Sequence, residues 1–135
     1  MNRLIKVLAA LVAVLALATP VAAQAPIVIE FNKAPAGPGL FVGTADEGTI
    51  AMQVTSFEER GNTARLTATL RLTGTSAGTF TAEVTGTLNN STGRGTLNGV
   101  IISGDCAGAR IHEESQLIDP ATNAYVGTIR VMPAS

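Results

Sequence analysis

The stretch Thr79–Glu114, TFTAEVTGTLNNSTGRGTLNGVIISGDCAGARIHEE, decides the fold. Polar and apolar residues alternate through Thr79–Leu88, the chain then returns through Arg94–Ser103, and the intervening Asn89–Gly93 is made of turn-forming residues. A second turn, Gly104–Gly108, leads into a third segment, Ala109–Glu114. A period of two is the pattern of strands that bury one face. The stretch therefore predicts three consecutive antiparallel strands, a meander.

The same alternation continues towards the N-terminus. Thr63–Thr73 carries an apolar residue at every second position, and Ala25–Asn32 and Thr49–Phe57 are further predicted strands. Seven or eight short antiparallel strands in one domain indicate an all-β barrel, with a sandwich as the alternative. We favour the barrel because long alternating strands without proline would be exposed as open edges.

Two segments between these strands are predicted to be loops. Ala34–Gly39 contains two prolines and two glycines, which interrupt regular pairing. Glu58–Asn62 is charged and ends in Gly-Asn, which is typical of a hairpin loop. Leu40–Thr44, which follows the first of these loops, is predicted to be a short strand.

The N-terminal residues have the pattern of a signal peptide. Asn2–Lys6 is positively charged, Val7–Ala18 is apolar but too short to span a bilayer comfortably, and Val21–Ala23 supplies small residues for cleavage. We expect a signal helix at 1–23, cleavage after Ala23, and a single domain at 24–135 that is secreted or periplasmic in a bacterium. An uncleaved anchor helix is the alternative.

Charge and cysteine content restrict the partners. Loss of Arg3 and Lys6 from nine basic residues would leave seven against ten acidic ones, a net charge of −3. The basic residues are scattered, so we expect no nucleic acid partner and, after signal cleavage, no membrane partner. Cys106 is the single cysteine, which excludes an internal disulfide. The patterns leave the oligomeric state and the role of Cys106 open.

The last predicted hairpin supplies the candidate site. If its loop, Asp119–Asn123, is symmetric about Ala121, the strand positions pair as Leu117 with Tyr125, Ser115 with Gly127, Glu113 with Ile129 and Ile111 with Val131. This face is apolar except for Ser115 and Glu113, and it is the predicted inner face.

Glu113 is therefore a lone carboxylate on an inner face. A buried carboxylate must be protonated or find a hydrogen-bond donor. Glu113 is the candidate catalytic residue, as a general acid or base, and Glu113, Ser115 and Tyr125 are the candidate ligand-binding residues. The alternatives are that Glu113 lies in water at a barrel mouth or that a bulge turns it outward.

No metal site or cofactor is predicted. His112 is the single histidine, and in a strand it points away from Glu113, so the two cannot share one ion. We expect His112 on the outer face with Arg130 and Glu114. The outer face is also rich in threonine, which offers a flat array for binding a polymer, at positions Thr67, Thr69, Thr79, Thr81, Thr85 and Thr87.

The C-terminal third resembles small secreted bacterial proteins that have no assigned activity. The residues that carry the resemblance are Thr96–Val100, Ala107–Glu114 and Val126–Pro133. The glycine-spaced meander is also similar in architecture to the eight-stranded barrels of the dirigent and allene oxide cyclase kind. These resemblances imply a barrel and bring no catalytic residue with them.

Three functions follow as hypotheses. The first is a binding module for one small, mostly apolar ligand, because small residues on the inner face leave room in the barrel, at Ala64, Ala68, Ala82 and Gly86. The second is a cyclase- or isomerase-like enzyme that uses Glu113. The third is a structural or surface-interaction protein that uses the threonine-rich face. Binding without catalysis is favoured.

Overall fold

The computed structural model describes residues 25–133, which form eight strands and no helix. The predicted signal helix lies outside the described residues. The strands are β1 (Ile27–Gly37), β2 (Leu40–Ala45), β3 (Gly48–Arg60), β4 (Thr63–Thr75), β5 (Gly78–Asn89), β6 (Arg94–Gly104), β7 (Arg110–Asp119) and β8 (Ala124–Met132). Within residues 25–133 there is no helix long and apolar enough to cross a bilayer.

The strands form a closed antiparallel barrel in which each strand pairs with its neighbours in sequence. The barrel closes where β1 pairs with β8, from Ile27 opposite Val131 to Lys33 opposite Tyr125. Every strand thus has a paired neighbour on both sides, which confirms the predicted barrel over the sandwich. The predicted meander is confirmed, and of the predicted seven or eight strands the barrel has eight.

The two ends of the barrel differ. We call the end with the β1–β2, β3–β4, β5–β6 and β7–β8 turns the upper end, and the other end, where β1 starts and β8 finishes, the lower end. Interior side chains fill the lower half, and nine of them are at most 1% exposed: Ile29, Ile50, Leu70, Leu72, Phe80, Ile101, Ile111, Ile129 and Val131. The most deeply buried part of the hydrophobic core therefore occupies the lower half.

The predicted register of the β7–β8 hairpin is confirmed. Glu113 lies opposite Ile129, Ser115 opposite Gly127, and Leu117 opposite Tyr125. In β4, the five predicted inner residues are all buried: Ala64, Leu66, Ala68, Leu70 and Leu72. Alternation thus gives the correct faces for these strands.

The bounds of both predicted loops are wrong, because strand pairing continues into them and confines the turns to Pro38–Gly39 and Gly61–Asn62. β1 extends to Gly37, and Pro35 lies opposite Phe41 in β2. Pairing of β1 with β8 stops at Lys33, so the missing N–H of Pro35 breaks no bond to β8, and the register shifts between Pro35 and Gly37. β3 likewise runs to Arg60, which reduces the β3–β4 turn to Gly61 and Asn62.

Gly99 lets β5 and β6 approach each other closely in the middle of the barrel wall. A Cβ built at Gly99 would lie 1.8 Å from the carbonyl oxygen of Glu83. This atom belongs to the neighbouring backbone and has no freedom to rotate away. Glycine is therefore required here for close packing of two strands.

The substitution Gly99→Ala should lower the free energy of unfolding by about 1–3 kcal/mol, because the added methyl forces β5 and β6 apart. Gly37→Ala is the matched control, since a Cβ at Gly37 would meet only Leu40 Cβ at 3.9 Å. Urea denaturation of both variants measures the difference. Equal stability of the two variants would contradict the close approach.

Candidate functional site

The upper half of the barrel encloses a cavity of about 220 Å³. Its wall is mainly aliphatic and aromatic, from side chains on five strands: Phe41, Met52, Val54, Leu66, Leu88 and Leu97. Gly39, in the β1–β2 turn, and Phe57, near the end of β3, line it at the upper end. The cavity therefore has its mouth at the upper end and its floor against the packed lower half.

An ion pair lies at the floor of this cavity. Lys33 Nζ donates a hydrogen bond to Glu113 Oε2 at 2.9 Å, and the two side chains are only 3% and 1% exposed. Lys33 Nζ also lies 3.4 Å from Met52 Sδ and 4.9 Å from the centre of the Phe31 ring. A buried charge is tolerated when it is paired and hydrogen-bonded. Lys33 is thus the donor that the buried carboxylate of Glu113 requires.

Strand periodicity places both partners inside the barrel. Ile29, Phe31 and Lys33 occupy alternate positions of β1 and share its inner face. Glu113 follows Ile111 on the inner face of β7. Because β8 lies between β1 and β7, the long lysine side chain reaches across it to bind the carboxylate. Sequence reasoning missed Lys33 because the predicted strand stopped one residue earlier.

One oxygen of the carboxylate is left without a partner. Glu113 Oε1 is buried and accepts no hydrogen bond within residues 25–133. Removing a charged acceptor from water without a replacement donor costs about 1–3 kcal/mol or more. The site therefore has an unsatisfied, buried acceptor on a residue that lines a mainly apolar cavity.

The structure brings all three predicted site residues to this cavity. Glu113, Ser115 and Tyr125 all line it. The Tyr125 ring packs edge-on against Phe41, with 6.1 Å between the ring centroids. Burial raises the pKa of the Tyr125 hydroxyl above its ordinary value of 10.0, so this hydroxyl keeps its proton at neutral pH.

Phe57 reaches the cavity through an irregularity in β3. The register with β4 shifts between Val54 and Ser56, so that Phe57 lies opposite the inward-facing Leu66. Strict alternation from Val54 would have turned Phe57 outward. Its ring lines the cavity yet remains 53% exposed, which places it at the mouth.

The remaining reactive side chains lie away from the cavity. His112 is on the outer face, where Nδ1 lies 2.6 Å from Asn98 Oδ1 and Nε2 lies 3.2 Å from Glu114 Oε1. Cys106 is exposed in the β6–β7 turn at the lower end. No group of three histidine, cysteine or acidic residues suited to a metal ion occurs in the described part of the chain. The cavity wall also lacks the four small residues that were predicted to leave room in the barrel, Ala64, Ala68, Ala82 and Gly86.

The fold and the site define the class of this molecule: a closed eight-stranded antiparallel barrel with an internal cavity and an ion pair at its floor. Comparison of the chain with known protein families, curated proteins and solved structures finds no match. The resemblance of the C-terminal third to small secreted proteins stays a prediction.

The ion pair predicts a non-additive effect on stability. Lys33→Met leaves Glu113 as an uncompensated buried charge and should lower the free energy of unfolding by about 3–5 kcal/mol. The double variant Lys33→Met, Glu113→Leu removes both charges and should recover most of that loss. Urea denaturation at neutral pH provides the comparison.

An exposed pair of equal length is the control for this experiment. Arg60 Nη2 lies 2.9 Å from Glu58 Oε1, and both side chains are largely exposed. Arg60→Met should change the free energy of unfolding by less than about 1 kcal/mol. A double variant that is as unstable as Lys33→Met alone would show that the interior tolerates no apolar replacement of the pair.

Tyr125 is the single tyrosine of the chain, and there is no tryptophan, so its ionisation can be followed directly by ultraviolet absorbance. Its midpoint should lie above pH 10, because burial disfavours the tyrosinate. The pKa of Tyr125 is higher in the folded state than in the unfolded state, so the neutral hydroxyl contributes to the stability of the fold. This contribution is complete below the unfolded-state pKa and is lost as the pH rises through the folded-state pKa. Tyr125→Phe should abolish the signal. A midpoint at or below that of free tyrosine would contradict the burial.

Proposed function

We propose that the protein is a binding module that holds one small, mostly apolar ligand in the upper half of its barrel. The observation that carries this proposal is the apolar cavity of about 220 Å³ above a fully packed lower half. An eight-stranded barrel has room for at most one small ligand. Mainly apolar cavities of this size accept small apolar guests.

The cavity volume limits the size of the ligand. An apolar cavity of about 150 Å³ accepts benzene, which has six non-hydrogen atoms. In proportion, the cavity of this barrel suits about nine non-hydrogen atoms. It is smaller than the usual pocket for a drug-sized molecule. The proposed ligand is therefore a short-chain or single-ring compound.

The polar groups of the wall support binding of an oriented ligand. Ligand sites are typically apolar with a few convergent polar groups. Lys33 and Glu113 supply these at the floor, and Ser115 and Tyr125 add two hydroxyls to the wall. We propose that these four residues orient the ligand. We also propose that the protein acts in a secreted or periplasmic setting, which rests on the leader-like residues 1–23.

A cyclase- or isomerase-like enzyme is the second candidate function, and it depends on Glu113 as acid or base. Glu113 Oε2 is already bonded to Lys33, and Oε1, which has no partner among the described residues, is buried. Ligand binding requires the cavity alone, whereas catalysis also requires exchange of a proton with the substrate. The geometry therefore favours binding.

The threonine-rich outer face is less favoured as the functional surface. Thr67 Oγ1 lies 2.8 Å from Thr55 Oγ1, and Thr85 Oγ1 donates to the carbonyl oxygen of Leu66. Thr79 Oγ1 accepts a hydrogen bond from the backbone of Gly74. Hydroxyls bonded within the barrel offer fewer groups to a polymer.

Filling the cavity should abolish binding. Val54 lines the cavity, so Val54→Phe places a ring in the ligand's space. Octan-2-ol, which has about nine non-hydrogen atoms, is a suitable probe by the volume argument above. Its affinity should fall at least about tenfold in this variant, since lost burial of two or more methylene groups weakens binding by that factor. Isothermal titration calorimetry measures the affinity, and fluorescence of Tyr125 in the wall reports occupancy.

The matched control makes the same substitution on the outside of the barrel. Val42 is 41% exposed and lies on the outer face of β2. Val42→Phe should bind the probe like the wild type. Equal binding by both variants, or no binding of any neutral probe to the wild type, would refute the proposed function.

A further inference from the structure

One carboxylate oxygen at the cavity floor has no hydrogen-bond donor among the residues that the structure describes. Glu113 Oε2 accepts from Lys33, while Oε1 is buried and accepts from no group in the described part of the chain. The terminal torsion of a glutamate rotates at low cost, so a small rotation presents Oε1 to the cavity that Glu113 lines. A ligand that brings a donor to Oε1 would remove the cost of the unsatisfied acceptor.

We infer that the ligand is a neutral alcohol, whose hydroxyl group donates a hydrogen bond to Glu113 Oε1 and whose apolar body fills the cavity. This inference rests on the proposed binding function and specifies the chemical class of the ligand. It follows from the unsatisfied oxygen together with the charge balance and the volume of the site.

Charge balance at the floor excludes ionic head groups. Lys33 and Glu113 already neutralise each other at 2.9 Å, and the pair is almost inaccessible to water. A carboxylate ligand would add a second negative charge beside Glu113, and an ammonium ligand a second positive charge beside Lys33. Either would bury a net charge in an apolar lumen, which is strongly unfavourable.

A hydroxyl group suits both members of the pair. It donates to Glu113 Oε1, and its own oxygen can accept from the lysine. Lys33 Nζ has three donor positions, of which Glu113 Oε2 and Met52 Sδ account for two. A ketone offers only the acceptor and leaves Oε1 unsatisfied. Alcohols should therefore bind more tightly than ketones of the same skeleton.

Three compounds on one carbon skeleton test the inference: octan-2-ol, octan-2-one and 2-aminooctane. We expect the wild-type protein to bind the alcohol about tenfold or more tightly than the ketone, which is the effect of one hydrogen bond to a charged group. The protonated amine should bind more weakly than the ketone. Calorimetric titration of the full barrel with each compound gives the three affinities.

Glu113→Gln should change this preference. The amide oxygen can still accept from Lys33, and the amide nitrogen then presents a donor where Oε1 stood. The preference for alcohol over ketone should shrink to about twofold or reverse, since the ketone gains a donor. Glu114→Gln, on the exposed outer face of the same strand, is the control and should keep the wild-type ratio.

The outcomes separate this inference from the proposed function. Equal wild-type affinities for alcohol and ketone, both lost in Val54→Phe, would overturn the inference and leave the binding function intact. Absence of binding by all three compounds would overturn both. If Glu113→Gln does not fold, the wild-type ratio of alcohol to ketone decides, and a ratio near one refutes the inference.

Discussion

The ion pair between Lys33 and Glu113 is the constraint on which the arrangement of the interior depends. A charged side chain buried in an apolar lumen is strongly destabilising unless it is paired with an opposite charge. Lys33 and Glu113 form such a pair only if β1 and β7 both have their present register. A slip of one residue in either strand would turn one partner to the outer face and leave the other unpaired. The pair also separates the two halves of the barrel, because the core lies below it and the cavity above it.

Most of the wall could be predicted from alternation, since a strand with one buried face must repeat every two residues. The faces of β4 and the register of the last hairpin follow from that rule and from the assumed centre of one loop, although a register shift pairs Asp119 with Ala124 beside that loop. The inward position of Glu113 was predictable for the same reason. The position of its partner Lys33 was not, because the prolines after Lys33 indicate a loop. In the barrel, β1 instead continues through Pro35 to Gly37, beyond its pairing with β8.

The mouth and the volume of the cavity depend on features that alternation does not encode. The register shift after Val54 changes the phase of β3, so Phe57 lines the cavity although period-two counting places it outside. The small inner residues Ala64 and Ala82 indicated free space, yet they are fully buried in the packed wall. The free volume inside the barrel depends on how closely side chains from different strands pack against one another. The polar–apolar pattern of one strand does not determine that packing.

The two ends of the barrel have a practical consequence for attachment. β1 starts at Ile27 and β8 finishes at Met132, so both lead out of the lower end, and the two strands are paired there through Ile27 and Val131. A fusion partner, an affinity tag or a tether to a solid support joined at either point would stand on the far side from the cavity mouth. Joining the two points by a short linker and reopening the chain at the Asp46–Glu47 turn would keep the new ends on that same side.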